Sequence, residues 1–243
     1  QTYKPGKLTI ATGQPAYEPW VMNDKPESGE GYEAAVAYAV ADKLGFKKSD
    51  VVWTRTAFDT AIAPGAKDWD FNIQQFGITD ERKKAVDFSS SYYNDSQSVV
   101  VKKDSKFANA TKVSDLKDAT VGVMVGTLAY DYAKANIKDD IQTFNDDAAL
   151  AQALDAGQID ALVTSTVECV YMVQSEQVKD AKVLGRLPDS EDKSGMGIVL
   201  PKDSKLTAAV TKAVDDLNAD GTIKKLQDKW LAEYTTDLTE LKK

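Results

Sequence analysis

Short β-rich runs alternate with longer helical patterns along the whole chain, and this alternation limits the fold more than any other feature. Leu8–Thr12, Val51–Thr54, Val99–Val101, Thr120–Val125, Ala161–Thr164 and Ile198–Leu200 read as strands. Several are apolar without a break, as expected of strands buried on both faces. Between them lie helical patterns at Tyr32–Leu44, Phe58–Ala63, Ala129–Ala135, Asp146–Ala156 and Val167–Ser175, with Leu206–Leu217 and Ile223–Leu231 closing the chain. In Tyr32–Leu44 the spacing of Tyr32, Ala35, Val36, Ala39, Val40 and Leu44 predicts one helical face. Strands joined by helical crossovers form mixed or parallel sheets, so the fold class is α/β.

A chain of 243 residues can hold two lobes of roughly 100–150 residues each. Ser98–Val101 and Gly197–Leu200 are each followed by a polar break, and we read them as two crossover strands. On that reading one lobe comprises residues 1–98 and 200–243. The other spans 99–199, with hinges near 98–102 and 196–200.

Composition removes several function classes. The chain has no histidine, which rules out Ser-His-Asp and Cys-His catalysis as well as His-based zinc sites. Cys169 is the only cysteine, so an intrachain disulfide is impossible, and we expect a small buried hydrophobe there. A net charge of −8 with scattered Lys and Arg argues against nucleic acid as a partner. No run approaches the roughly 18 apolar residues of a membrane span. No metal or cofactor is expected.

Phe76-Gly77-Ile78-Thr79-Asp80-Glu81-Arg82 continues through Val86-Asp87-Phe88-Ser89 to Tyr92-Tyr93. This stretch resembles the signature of the polar amino-acid-binding proteins of ABC importers, solute-binding family 3. Other landmarks follow in the family's order: Tyr17-Glu18-Pro19-Trp20, Val121-Gly122-Val123 with Gly126-Thr127, Gly157-Gln158-Ile159-Asp160-Ala161, and Asp220-Gly221-Thr222 before Trp230. The resemblance covers nearly the whole chain. It implies a two-lobed periplasmic-binding-protein fold of type II, each lobe a mixed sheet flanked by helices. It also implies a periplasmic or extracellular monomer that closes around a small carboxylate-bearing solute and delivers it to a membrane ABC permease. The chain begins at Gln1 rather than methionine, which leaves room for a removed signal peptide or lipid anchor.

The same resemblance nominates the site. Arg82, near a helix start opened by Thr79 and Asp80, would hold the carboxylate, since a guanidinium offers two parallel donors. Thr127 and Leu128 belong to a strand-to-helix turn of the kind that aims N–H groups at an anion. Tyr17 and Phe58 would wall the ligand, and Gln14, Gln75, Gly77, Ser165 and Glu168 complete the expected contacts. The chain departs from the family where an ammonium would sit. Gly77 stands at the family's hydroxyl position, Ser165 at its carboxylate position and Leu128 at a position often occupied by threonine. Gln14 stands where the loop is frequently acidic when the ligand is cationic.

Two readings follow. Either specificity has moved toward a carboxylate whose ammonium is different or absent, unless another group replaces the missing Asp, for which Glu168 is the candidate. Or the site does chemistry: cyclohexadienyl dehydratases resemble this family in fold and place a proton-donating Glu in a comparable part of the second lobe, which makes Glu168 a candidate general acid.

Overall fold

The computed structural model describes residues 1–243. Contacts divide the chain into two units, residues 1–94 with 193–232, and residues 95–192 with 233–243.

The first unit is built on β1 (Leu8–Thr12), α1 (Tyr32–Lys43), β2 (Val51–Arg55), α2 (Phe58–Ala61), β3 (Phe71–Asn72), α3 (Asp80–Lys83) and β4 (Val86–Tyr93). The second holds β5 (Gln97–Lys102), β6 (Val121–Met124), α4 (Leu128–Asn136), β7 (Ile141–Phe144), α5 (Asp147–Asp155), β8 (Ala161–Ser165), α6 (Thr166–Gln174) and β9 (Ala181–Arg186). The chain then returns to the first unit as β10 (Met196–Pro201), α7 (Thr207–Ala219) and α8 (Thr222–Trp230).

Each unit has one five-stranded mixed sheet, in the orders β2-β1-β3-β10-β4 and β7-β6-β8-β5-β9. In the first, β1 runs parallel to β2 and β3, while β10 is antiparallel to β3 and β4. In the second, β6 runs parallel to β7 and β8, and β5 is antiparallel to β8 and β9. The two sheets therefore repeat one plan, and both are flanked by helices.

The continuous apolar runs are explained by two-sided burial. Val99 and Val101 face one core cluster with Val121, Val123 and Val163. Val100 faces the other, with Leu150, Leu154, Leu162 and Met172. Alternate side chains of a strand point to opposite faces, so a strand covered on both sides is apolar at successive positions. Cys169 is wholly buried in the second cluster.

The helical face of α1 differs from the expected one. Tyr32, Glu33, Ala34, Val36, Ala37, Val40 and Ala41 are buried, and a carboxylate is thereby taken into the core. Gly31, at φ 103°, precedes this helix with the Trp20 carbonyl oxygen 2.5 Å from where a Cβ would stand. Left-handed backbone and lack of room both require glycine there.

The domain boundaries need correction. The chain passes between units at Asn94–Asp95 and Asp192–Lys193, so β5 lies wholly in the second unit and β10 wholly in the first. The tail assigned to the first lobe belongs from residue 233 onward to the second unit. There the Arg186 N–H donates to the Thr239 carbonyl (2.7 Å) and the Leu241 N–H to the Arg186 carbonyl (2.9 Å), extending the sheet beyond β9. Leu241 is buried in the same cluster as Val99 and Val121. Truncating it, Leu241→Ala, is expected to cost about 2 kcal/mol, at the low end for a buried leucine because a terminal segment can relax. Thermal denaturation checks this.

The sequence reading also missed β3, β4, β7 and β9. Of these, β7 is half exposed and polar in its middle, with Gln142 and Thr143 outward, and so carries little apolar signal.

Candidate functional site

Both sheets place loops at the carboxyl ends of their parallel strands, the usual location of ligand sites in open α/β sheets. In the first unit those loops carry all the residues expected there. Gln14 and Tyr17 lie on the loop after β1, both exposed. Phe58 opens α2 after β2. Gln75 and Gly77 follow β3, and Arg82 sits in α3.

A tight group forms around Arg82. Thr79 caps α3, its hydroxyl accepting the Arg82 N–H at 3.1 Å. The Arg82 guanidinium donates through Nη1 to the Gly77 carbonyl at 2.7 Å. Its Cζ lies 5.4 Å from the Phe58 ring centroid, a cation–π contact. Phe58 also packs on Phe76, with ring centroids 4.7 Å apart, and so serves as a core aromatic and as a platform for Arg82. Arg82 makes no ion pair with Asp80, Glu81 or any other acid. Burial lowers its pKa from the ordinary value, the mark of a partly desolvated cation without a counter-charge.

Gly77 does not need to be glycine for backbone reasons. A Cβ there would meet only Arg82 Nη1, at 3.5 Å, an ordinary contact. Gln75 differs from expectation. Its side-chain amide donates inward to the Glu33 carboxylate, and its own N–H donates to the same group at 2.8 Å. Gln75 therefore braces the loop from below.

In the second unit, β7, β6 and β8 are parallel neighbours, so α5, α4 and α6 all begin at one edge of the sheet. Thr127 caps α4, accepting the Tyr130 N–H at 3.2 Å and donating to the Met124 carbonyl at 2.8 Å. Gly126, at φ 72°, supplies the left-handed turn before it. Leu128 is about half exposed (49%), as is Val125 (51%), so this edge presents apolar surface beside the capping threonine.

Ser165 occupies the cap position of α6 but makes no side-chain capping bond. Glu168 follows in the first turn. Burial, then the nearby Asp147 and Asp95 carboxylates, push it up to about 7. Asp147, at the start of α5, is raised to about 6 by burial and by Asp146, and its Oδ1 is buried without a hydrogen-bond partner. Asp95 is raised to about 7 by burial against its hydrogen bonds from Ser96 and Val167. The sequence reading found Glu168 but neither aspartate. Asp147 precedes Glu168 by 21 positions, and only the parallel pairing of β6 with β7 and β8 brings the starts of α5 and α6 to one end of the sheet. No group of three or more acidic or sulfur side chains has a metal-holding arrangement.

The profile of the bacterial extracellular solute-binding proteins, family 3, matches residues 8–233, nearly the whole of both units. The chain belongs to this family. The L-arginine-binding protein of Pseudomonas aeruginosa is 29% identical, over 94% of this chain and 88% of that protein. The L-cystine-binding protein TcyJ of Escherichia coli is 30% identical, over 90% and 81%. Among solved structures, the ancestral amino acid-binding protein AncCDT-1, described as a precursor of cyclohexadienyl dehydratase, superposes with a TM-score of 0.67 at 31% identity, covering 93% of this chain and 95% of that one. This family 3 member thus has the type II two-lobed fold of solute-binding proteins, and no helix in it is long and apolar enough to cross a membrane.

Proposed function

We propose that this solute-binding protein captures a small amino-acid-like molecule carrying a carboxylate and at least one cationic group, and presents it to a membrane ABC permease. The observation that carries the reading is the pair of uncompensated charges at matching sheet edges. Arg82 is a partly buried cation without an acid, and Glu168 with Asp147 is a partly buried acidic pair without a cation. A ligand bearing both charges would neutralise each, and closure of the units around it would supply the contacts of both. Arg82 takes the carboxylate, and Thr127 with the turn before α4 offers further donors from the second unit. Glu168 takes over the role left vacant by Ser165. Phe58 and Tyr17 flank the apolar part of the ligand. L-arginine and L-cystine, which name two of the relatives, are the first candidates.

Isothermal titration with L-arginine, L-cystine, agmatine and succinate tests this. Agmatine lacks the carboxylate and succinate lacks the cation. Binding of one or both amino acids, with neither truncated compound competing, is expected. Tight binding of succinate alone would remove the cationic half of the reading.

A second reading has one observation in its favour. A carboxyl group pushed to about 7 is suited to donate a proton near neutral pH, and Glu168 is such a group. The similarity to AncCDT-1, a precursor of cyclohexadienyl dehydratase, bears on the same point. Incubation with prephenate decides: phenylpyruvate formation that disappears in Glu168→Gln would establish an enzyme, and no turnover leaves binding.

A further inference from the structure

We propose that Glu33, at the start of α1, is the positioning residue of the Arg82 half-site. It clamps the loop after β3 in the one conformation that aims the Gly77 carbonyl at Arg82. The proposal rests on the reading of Arg82 as the carboxylate-binding group.

Gln75 has φ 52°, a left-handed backbone that a long unbranched side chain rarely adopts and that surrounding contacts must impose. Those contacts come from Glu33, which is wholly buried. Its Oε2 accepts the Gln75 N–H at 2.8 Å and also the Tyr92 O–H, and its Oε1 accepts the Gln75 side-chain amide. Three donors converge on one carboxylate, which in its ionised form has acceptor sites for all of them. On the far side the loop is fixed to β10 and the residue before it: the Gly197 N–H donates to the Phe76 carbonyl (3.0 Å) and the Ile78 N–H to the Gly195 carbonyl (2.9 Å). Two residues after Gln75, the Gly77 carbonyl receives Arg82. A loop released from Glu33 keeps its β10 bonds but loses the constraint on Gln75, and the guanidinium loses its fixed partner.

The titratable groups facing Glu33 are Tyr92 from β4 and Tyr32 from α1, with Gln227 of α8 bonded to the Tyr32 hydroxyl behind them; no basic side chain neutralises the acid. Burial raises Glu33 to about 7. Its ionisation therefore costs folding stability as pH rises from the ordinary carboxylate range to about 7, although the ionised form is the one that satisfies all three donors.

The test is amide hydrogen exchange over residues 75–78 of the ligand-free chain, with L-arginine and L-cystine titrated alongside. Glu33→Asp keeps the charge but shortens its reach. Exchange at Gln75–Ile78 is expected to quicken at least tenfold while the rest of α1 stays protected, and ligand affinity is expected to fall by a similar factor. Glu33→Gln keeps the reach: its oxygen can take the Gln75 N–H and the Tyr92 O–H while its amide pairs with a reversed Gln75 amide. Protection and affinity should return to wild-type levels, and the fall in Tm between pH 5 and pH 8 should be shallower than in the wild type. Glu33→Met, of similar size and without an acceptor, replaces the aspartate variant if that chain does not fold. Wild-type protection in the variant lacking reach or acceptor, or loss of protection in Glu33→Gln equal to it, overturns the proposal. If Arg82→Ala leaves both titrations unchanged, the carboxylate reading falls, and the exchange result still decides the role of Glu33.

Discussion

Arg82→Ala is expected to weaken binding of a carboxylate-bearing ligand by about 100-fold or more, the equivalent of about 3 kcal/mol, which is typical when one partner of a desolvated charge pair is truncated. The guanidinium is already held in place. Nη1 is fixed on the Gly77 carbonyl, the Thr79 cap orients the helical turn, and the Phe58 ring lies beneath the cationic head. Little ordering cost remains when a ligand arrives, so most of the charge-assisted hydrogen-bond energy is available for affinity. Arg82→Lys should recover only part of it, because an ammonium cannot donate to Gly77 and bind a carboxylate bidentately at once. Because Arg82 has no ion pair to lose, the alanine variant should leave the Tm of the ligand-free protein within a few degrees of wild type. Isothermal titration and thermal denaturation together check the claim. A large drop in Tm with affinity preserved would mean that Arg82 is structural.

The second large effect is expected at Glu168. Its pKa of about 7 lies above the ordinary glutamate value, so between roughly pH 4.5 and 7 the folded protein holds a proton that the unfolded chain has released. Stability of the ligand-free protein therefore falls as pH rises through that window. Glu168→Gln should raise stability at pH 8 by an amount on the order of 2 kcal/mol, discounted for its partial exposure. Ligand binding should respond in the opposite direction. A cationic group placed against Glu168 draws the pKa down, so binding at pH 6 should release up to one proton and binding at pH 8.5 almost none. Affinity should decline up to about tenfold per pH unit below 7. Titration in buffers of different ionisation enthalpy measures the released proton directly. In Glu168→Gln the release should shrink and affinity for L-arginine or L-cystine should drop by tens of fold at pH 8. A variant that is both more stable and equally tight would mean the carboxylate never meets the ligand. Asp147 also titrates in this range, and Asp147→Asn in the same background separates its share.

Much of this was legible in the chain itself. Strand candidates such as Val99–Val101 and Ala161–Thr164 were readable because two-sided burial leaves an unbroken apolar run. The cap at Thr79 and the placement of Arg82 beyond it were readable because capping is local, decided within three or four residues. The lack of histidine and the single buried Cys169 narrowed the chemistry without any structure at all.

What the sequence could not carry were facts decided by partners distant along the chain. Whether Gln75 faces a ligand or the core depends on Glu33, 42 positions earlier, and on Tyr92 completing the same carboxylate. The membership of the tail depends on Leu241 finding the cluster of Val99 and Val121, and two leucines, Leu238 and Leu241, among the polar and charged residues from Thr235 to Lys243 give too short a pattern to read. The acidic pair exists because parallel strands set the starts of α5 and α6 at one edge of the sheet. The sequence by itself determined the α/β alternation, the family and the capped turn that carries Arg82, all of which rest on local pattern. Only the tertiary structure decided which buried carboxylates go uncompensated, because desolvation and charge pairing are properties of the packed neighbourhood and of no single segment.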